Sequence, residues 1–390
     1  MGTALLGAAA PKSSSQTVLA VKPIIAPTTA KAIADSANAF AQALRPDLRA
    51  KLRFGFNDPE RHDWHNLPNS RHPRKGVRMG EMSDAERGAA HVLMQTMLSG
   101  QGYLKVAGIM QHDELFNDRA IAGGPAEQTN APIPAEVLEK AARGFTPEEM
   151  RAAAKLGNHG GNFGAALFFI DLFGDVGSPN PWGIQLDGHH LGVNLTVIDN
   201  REVTLMPTFL GSEPALIQTG PFGGSELFGR ETRFALELLN SLSPEQRNKA
   251  VLGNEVPSDI FTGAERGEQL KTFQGIAGLQ DHQRELAEWI IEEYVGTAPP
   301  EIAKGYRDAI RSAGFDNLHF AWIGPADLTK EVYFRLHSSA ILIELQKHES
   351  LQRSSGPANH IHSIMRTPAN DYGIDWMRQH HLEYDHTYHY

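Results

Sequence analysis

The 390-residue chain contains no cysteine. This absence excludes disulfides, thiolate nucleophiles, zinc fingers and iron–sulfur clusters held by cysteine. The redox compartment stays open, because a chain without cysteine suits an oxidising or a reducing environment equally well.

Long apolar runs and basic clusters are also scarce. No apolar run approaches the ~18 residues that a membrane-spanning helix needs. The net charge is −10 with histidine neutral, and the densest basic stretch, residues 71–75, is typical of a solvated loop. A nucleic-acid-binding protein would show a basic stripe. We therefore expect a small-molecule substrate, no nucleic-acid partner and no membrane span, and the oligomeric state is not indicated.

The beginning of the chain differs in composition from the rest. Residues 1–10 are small and apolar, and they resemble the end of a signal peptide with its Ala-x-Ala site, although a positively charged segment is missing. A cytoplasmic and an exported protein both remain possible. We expect residues 1–30 to form a flexible leader and residues 31–390 to form a single domain, in which no internal repeat is evident.

Apolar periodicity predicts an α+β protein. Strands predicted as consecutive hairpins imply an antiparallel sheet, because parallel strands need long crossovers. We expect one sheet built from central and C-terminal hairpins and flanked by helices. The predicted strands are 165–173, 182–187, 192–198, 203–209, 315–322, 332–336, 341–346 and 360–366. The predicted helices are 31–50, 83–100, 102–116, a short one opening at 146–149, 225–253, 281–295 and 300–313.

The strongest chemical signal is Asn-His-Ile-His at residues 359–362. On a strand, His360 and His362 point to the same face, and Arg366 shares that face. Glu344 lies on a neighbouring apolar strand, where an unpaired carboxylate would be costly to bury. Two imidazoles and a carboxylate suit iron, copper, zinc or manganese. The alternative is a histidine-rich edge strand with Glu344 exposed to solvent or paired with Arg335.

A second histidine cluster lies upstream. Adjacent residues on a strand face opposite ways, so only one of His189 and His190 can join a given site. Asp187 shares a face with His189. A turn with two exposed histidines is an equally good interpretation of these residues.

The C-terminal tail is a weaker candidate. It carries His380, His381, His386 and His389. His380 or His386 could supply a further metal ligand, and Asp371 could orient a histidine or arginine from outside the ligand set. A frayed terminus explains this composition as well.

Several motifs resemble one uncharacterised family, the bacterial and fungal proteins with domain of unknown function number 3500. The match runs in order through roughly residues 50–390. It includes residues 80–87, 98–103, 181–191, 207–211, 319–324, 332–335, 359–362 and 370–373. The chain departs from the family pattern at residues 337–339, where the family has Gln-Gly-Pro, and at residues 380–381, where it has His-Tyr. The resemblance implies no activity, because the family has no settled function.

These observations support three hypotheses. The first is a mononuclear metal-dependent oxidoreductase or oxygenase using iron or copper. Its ligands would be His360 and His362, completed by His189, His190 or Glu344, and Arg366 would bind a small anionic substrate. The second is a zinc-type hydrolase in which Glu344 or Asp187 activates a metal-bound water. The third is a protein that binds a metal or ligand without catalysis.

Overall fold

The computed structural model describes residues 22–120, 163–263, 270, 273–349, 357–368, 370–374 and 376–377. Within these residues, eight α-helices are present. They are α1 (Pro27–Ala43), α2 (Pro46–Leu52), α3 (Asp84–Met97), α4 (Gly100–Ala120), α5 (Gly229–Ser241), α6 (Pro244–Ala250), α7 (Asp281–Val295) and α8 (Pro300–Ala313). The helix predicted from residue 146 lies outside the described residues. No helix in the described ranges has the length and apolarity to cross a membrane.

Twelve strands form one mostly antiparallel sheet. They are β1 (Arg53–Phe54), β2 (Val77–Arg78), β3 (Phe169–Phe173), β4 (Trp182–Gly188), β5 (Leu191–Ile198), β6 (Glu202–Thr204), β7 (Thr208–Ser212), β8 (Val251–Gly253), β9 (His319–Ile323), β10 (Val332–His337), β11 (Leu342–His348) and β12 (His360–Arg366). The sheet order is β1-β3-β4-β5-β7-β12-β11-β10-β9-β8, with β2 beside β3 and β6 beside β5. The predicted α+β class with a flanked antiparallel sheet is confirmed.

Local sequence signals explain several boundaries. Ser83 caps α3, and Glu86 completes a reciprocal capping box, as the Ser-Asp-Ala-Glu sequence predicts. The predicted strand 203–209 is divided between β6 and β7. Pro207 lies between the two strands, and proline cannot donate to a strand ladder. Helix α1 begins at Pro27, which lies inside the predicted leader of residues 1–30. The predicted boundary between leader and domain at residue 30 stays a prediction.

The two faces of the sheet differ in chemistry. One face carries alternating apolar residues such as Ile184, Val193 and Leu345, and it joins the helices in the main hydrophobic core. The opposite face, called here the polar face, carries Gln185, Asn194, Glu344, Gln346, His348, His360 and His362. These polar side chains are nearly all buried. A buried polar face requires partners for its side chains.

Two loops supply part of that cover. In the first, Arg61 donates to Thr196 and to a backbone carbonyl, and the ring of Trp64 stacks on Phe209. In the second, the backbone N–H groups of Phe261 and Thr262 donate to Glu344. The loops meet where Asn66 donates to Asp259 at 2.6 Å. Both loops are thereby fixed over the middle of the sheet.

The same order of elements occurs twice along the chain. In the first half, α1 and α2 lead into β1, which lies parallel to β3 and is followed across the sheet by β4, β5 and β7. In the second half, α5 and α6 lead into β8, which lies parallel to β9 and is followed by β10, β11 and β12. Because β7 and β12 pair antiparallel at the centre, the halves are related by an approximate two-fold axis. The expectation of no internal repeat is therefore wrong at the level of the fold.

Candidate metal centre

Three histidines come together on the polar face near this central axis. Strand β12 presents His360 and His362, as the alternation predicts. His190 comes from the two-residue turn that joins β4 to β5. Its Nε2 lies 2.9 Å from Nε2 of His360. One ligand atom from each of the three residues lies within 4.8 Å of the others, and all three are buried.

Each of these histidines has a different carboxylate near its Nδ1 atom. Asp259 Oδ1 lies 2.8 Å from Nδ1 of His362. Glu213 Oε2 lies 3.3 Å from Nδ1 of His360. Asp113 Oδ1 lies 3.8 Å from Nδ1 of His190. A carboxylate on the outer nitrogen of an imidazole is the usual arrangement around a metal-bound histidine, because it fixes the ring and raises its basicity.

Two nitrogens of the cluster lack hydrogen-bond partners. Nε2 of His362 and Nε2 of His348 are buried, and neither has a partner among the described residues, whereas Nε2 of His190 and Nε2 of His360 lie at hydrogen-bond distance from each other. An unpaired buried polar atom costs about 1–3 kcal/mol. Burial is the largest cause that lowers the pKa of His190 and His360 well below the usual value, and it lowers the pKa of His348 to about 3. The rings of His190, His360 and His348 are therefore neutral at pH 7, which is the form that binds a metal.

His348 is a fourth histidine beside the three. It lies opposite His360 in the β11–β12 register, and the centroids of these two rings are 4.1 Å apart. Glu344, Gln346 and His348 alternate along β11 and so share a face. That alternation is a signal in the sequence that indicates His348 as well as Glu344.

A glycine leaves the space that the cluster needs. Gly211 lies opposite His362 in the β7–β12 register. A Cβ atom at Gly211 would lie 2.9 Å from Cδ2 of His190 and 3.2 Å from Cδ2 of His362. The absence of a side chain on β7 therefore lets the two imidazoles approach the sheet.

Gly211→Ala is expected to weaken metal binding although it removes no ligand atom. The added methyl group also lies 2.8 Å from the carbonyl oxygen of Ile361, so β12 and both rings must shift. We expect metal affinity to fall by about 10-fold or more, comparable to loss of a supporting group, in isothermal titration with Co²⁺. Gly253→Ala is the control, because a Cβ there meets nothing within 4 Å. Equal affinity in the two variants would contradict the expectation.

A second group lies on the other side of His190. His189 Nε2 is 3.4 Å from Oδ1 of Asp113, and Asp113, His189 and His190 form a second set able to hold a cation. Asp113 lies on α4, and its other carboxylate oxygen accepts a hydrogen bond from the N–H of Gly164 at 2.8 Å. The structure thus brings His190 to His360 and His362, and it places His189 beside Asp113. The expectation that only one of His189 and His190 can join a given site is wrong, because both lie in a turn rather than on a strand and both belong to the second group.

Asp187 lies apart from the three histidines in an ion pair. Its Oδ2 atom is 3.0 Å from Nε of Arg74, and both side chains are buried. Burial raises the pKa of Asp187 to about 6, and Arg74 opposes that rise. The base function predicted for Asp187 stays a prediction.

Glu344 is surrounded by hydrogen-bond donors. One carboxylate oxygen accepts from the N–H of Phe261 at 2.9 Å and from the hydroxyl of Tyr333 at 2.7 Å. The other accepts from the N–H and the hydroxyl of Thr262. These four bonds provide the compensation that the sequence requires for a buried carboxylate. They fasten the second covering loop, and Glu344 belongs to neither cation-binding group.

Arg366 is likewise occupied by protein groups. Its guanidinium donates to the carbonyl oxygens of Thr262 and Gly263 and to the carboxylate of Asp371. Each of the three guanidinium nitrogens of Arg366 therefore donates to an acceptor of the protein itself. Asp371 orients an arginine, one of the two roles expected for it. Anion binding by Arg366 stays a prediction that no observed contact supports.

The carboxylates around the cluster were missed by sequence reasoning. Asp113 lies in a helix, Glu213 directly follows β7, and Asp259 lies in a loop after β8. None of them belongs to a motif that predicts a metal site. The histidines of the tail, His380, His381, His386 and His389, lie outside the described residues.

Comparison with known proteins gives one match. The model of a family described as "Protein of unknown function (DUF3500)" matches residues 26–374. No curated protein and no solved structure matches this chain.

Proposed function

Because the chain belongs to the DUF3500 family of proteins of unknown function, its chemistry has to be inferred from its residues, and we propose that it is a metal-dependent oxidoreductase. The proposed centre consists of His190, His360 and His362. It takes one divalent transition metal ion and leaves coordination positions open for oxygen or substrate.

One observation carries the proposal. Three buried imidazoles each turn one nitrogen toward a carboxylate, and a nitrogen from each lies in a common group. A merely polar strand would need only enough hydrogen bonds to satisfy its side chains. Asp259 instead bonds to Nδ1 of His362, and Glu213 lies 3.3 Å from Nδ1 of His360, which matches the support that metal-binding histidines require.

The spacing of the nitrogens favours iron or copper over zinc. Nε2 of His190 and Nε2 of His360 are 2.9 Å apart, a hydrogen-bond distance. If the two atoms kept this separation on one ion with metal–nitrogen bonds of about 2.0–2.1 Å, the angle at the metal would be about 90°. Structural and catalytic zinc sites are usually tetrahedral, whereas octahedral and square geometries place neighbouring ligands at right angles. Zinc and manganese remain alternatives that metal analysis distinguishes.

The surrounding carboxylates favour redox chemistry over hydrolysis. A hydrolase of this kind needs a carboxylate free to take a proton from metal-bound water. Among the described residues, Asp259 is held by His362 and Asn66, and Asp187 is paired with Arg74. Glu344 accepts four hydrogen bonds. These three groups hold the architecture together. Oδ1 of Asp113 has no hydrogen-bond partner among the described residues, but it faces Nδ1 of His190 and not the Nε2 atom that meets His360.

Metal analysis of the full-length protein tests the proposal. The protein is purified without added metal and then measured by plasma mass spectrometry and by thermal unfolding with added Fe²⁺, Cu²⁺, Zn²⁺ or Mn²⁺. We expect about one equivalent of iron or copper at this centre and a rise in the unfolding temperature when metal-free protein is loaded. Less than about a tenth of an equivalent with no thermal shift for any of the four metals would overturn it. Zinc alone would support the hydrolase hypothesis.

Asp259→Asn tests the supporting carboxylates. The substitution keeps the size of the side chain and removes the charge that faces Nδ1 of His362. We expect metal affinity at the centre to fall by about 10–100-fold, measured by competition with a chelator. Asp327→Asn is the control, because the Asp327 carboxylate accepts hydrogen bonds only from Thr329 among the described residues and lies on an exposed turn. Unchanged affinity in Asp259→Asn would remove Asp259 from the centre.

A further inference from the structure

His190 lies between two cation-binding groups, and a different nitrogen faces each of them. Its Nε2 faces His360 at 2.9 Å. Its Nδ1 faces Oδ1 of Asp113 at 3.8 Å, and Nε2 of His189 lies 3.4 Å from the same oxygen. The first group contains His360 and His362, and the second contains Asp113 and His189.

The atoms of the second group lack the hydrogen bonds that such burial requires. Nδ1 of His190 and Oδ1 of Asp113 are both buried, and neither has a hydrogen-bond partner within the described part of the chain. Their 3.8 Å separation exceeds hydrogen-bond length. Native proteins leave few buried polar atoms unsatisfied, and each one needs an explanation such as a missing ion.

We infer that a second divalent metal ion binds Oδ1 of Asp113, Nε2 of His189 and Nδ1 of His190, so that the imidazole of His190 joins two metal ions. The inference rests on the proposed function for its first metal site. Ligands on one tetrahedral ion with bonds of about 2.1 Å lie about 3.4 Å apart. The two observed separations, 3.4 Å and 3.8 Å, therefore fit a shared ion better than they fit hydrogen bonds.

The ligands of the second site are held in place by their surroundings. The backbone N–H of Gly164 donates to the second oxygen of Asp113, which turns Oδ1 toward the histidines. The ring of His189 lies against Phe163, with centroids 4.9 Å apart, and against His190 at 3.8 Å. The site is thus formed before any ion arrives.

The charge balance is favourable for two cations. Neutral His190 carries one ring proton. When both nitrogens bind metal, that proton leaves to solvent and the ring becomes an imidazolate with one negative charge. Asp113, Glu213 and Asp259 add three carboxylates around the two ions. These negative charges offset the repulsion between neighbouring divalent ions.

Copper titration of the full-length metal-free protein tests the inference. The wild-type protein is expected to bind about two equivalents of Cu²⁺ at the buried sites, and Asp113→Asn about one. Electron paramagnetic resonance should show loss of signal as the second equivalent binds to wild type, because a shared imidazolate couples the two spins. The signal of Asp113→Asn should stay proportional to its bound copper. His189→Gln should behave like Asp113→Asn and serves if that variant fails to fold.

Glu114→Gln is the matched control. Glu114 is the neighbour of Asp113 on α4 and accepts from the N–H of Ala165 at 2.7 Å, but it lies in neither cation group. It should keep two coupled equivalents. One equivalent in wild type and in Asp113→Asn alike would overturn the second site and leave the proposed function standing. Two equivalents without spin coupling would overturn the bridge. No bound copper would overturn the second site and exclude copper from the proposed centre, and the four-metal analysis would then decide the proposed function.

Discussion

Replacing His360 with alanine is expected to remove the metal from the first site. His360 is the central member of the cluster, with Nε2 of His190 at 2.9 Å and the ring of His348 at 4.1 Å between centroids. Two remaining imidazoles cannot hold a divalent ion as three do. We expect bound metal at this site to fall from about one equivalent to below about a tenth, by plasma mass spectrometry after dialysis.

The same variant separates metal binding from folding. Metal at 1,000 times its dissociation constant stabilises a protein by about 4 kcal/mol, so loading should raise the unfolding temperature of wild type by more than that of His360→Ala, which keeps only the group of Asp113, His189 and His190. His282→Ala is the control, because His282 is an exposed residue on α7. Full metal content in His360→Ala would contradict the proposed centre.

Local patterns predicted the parts of the centre that depend on one strand. Strand β12 has the predicted bounds, and His360 and His362 share its polar face. Side-chain alternation is a property of the strand itself, so seven residues suffice to place both rings. For His189 and His190, the position of the turn had to be known as well. Because His189 and His190 form the turn between β4 and β5, strand alternation did not decide which of them joins His360.

The carboxylates could not be predicted because their positions depend on topology. Asp113, Glu213 and Asp259 reach the histidines only after α4, β7 and the loop after β8 have been placed around β12. A single sequence carries no signal for pairing between β7 and β12, which are separated by two helix pairs and four strands. The repeat of the fold was not evident from the sequence, because the two halves share the order of their elements rather than a sequence motif. They also share a proline at the start of a helix, Pro46 in α2 and Pro244 in α6.

Glu344 lies on the strand beside β12, as expected, but it belongs to neither cation-binding group, and the matching order of elements in the two halves indicates another role for it. In the first half, Gln185 and Asn194 face each other across β4 and β5, and Gln185 donates to the carbonyl of Arg61 in the first covering loop. In the second half, Arg335 and Glu344 occupy the corresponding positions across β10 and β11. Both pairs anchor a covering loop. Glu344 thus belongs to a feature of the fold that occurs once in each half.

Glu344→Ala is expected to cause a large loss of stability. The substitution removes the acceptor of four hydrogen bonds, from Phe261, Thr262 twice and Tyr333. It leaves those buried donors without partners, and we expect the free energy of unfolding to fall by about 3–5 kcal/mol, measured by urea denaturation. Glu288→Ala, at an exposed position on α7, should change it by less than about 0.5 kcal/mol.

Glu344→Gln distinguishes an anchor from a catalytic base. Glutamine keeps the shape of the side chain and one acceptor oxygen, but its amide NH₂ group faces hydrogen-bond donors. If Glu344 anchors the loop, the free energy of unfolding should therefore fall by about 1–3 kcal/mol. A base would lose turnover while stability and metal binding stay at wild-type values. An anchoring role would also affect metal binding, because the loop that Glu344 holds carries Asp259, which bonds to His362. Metal affinity should therefore fall together with stability, and a glutamine variant unchanged in both would show that the loop is held by other contacts.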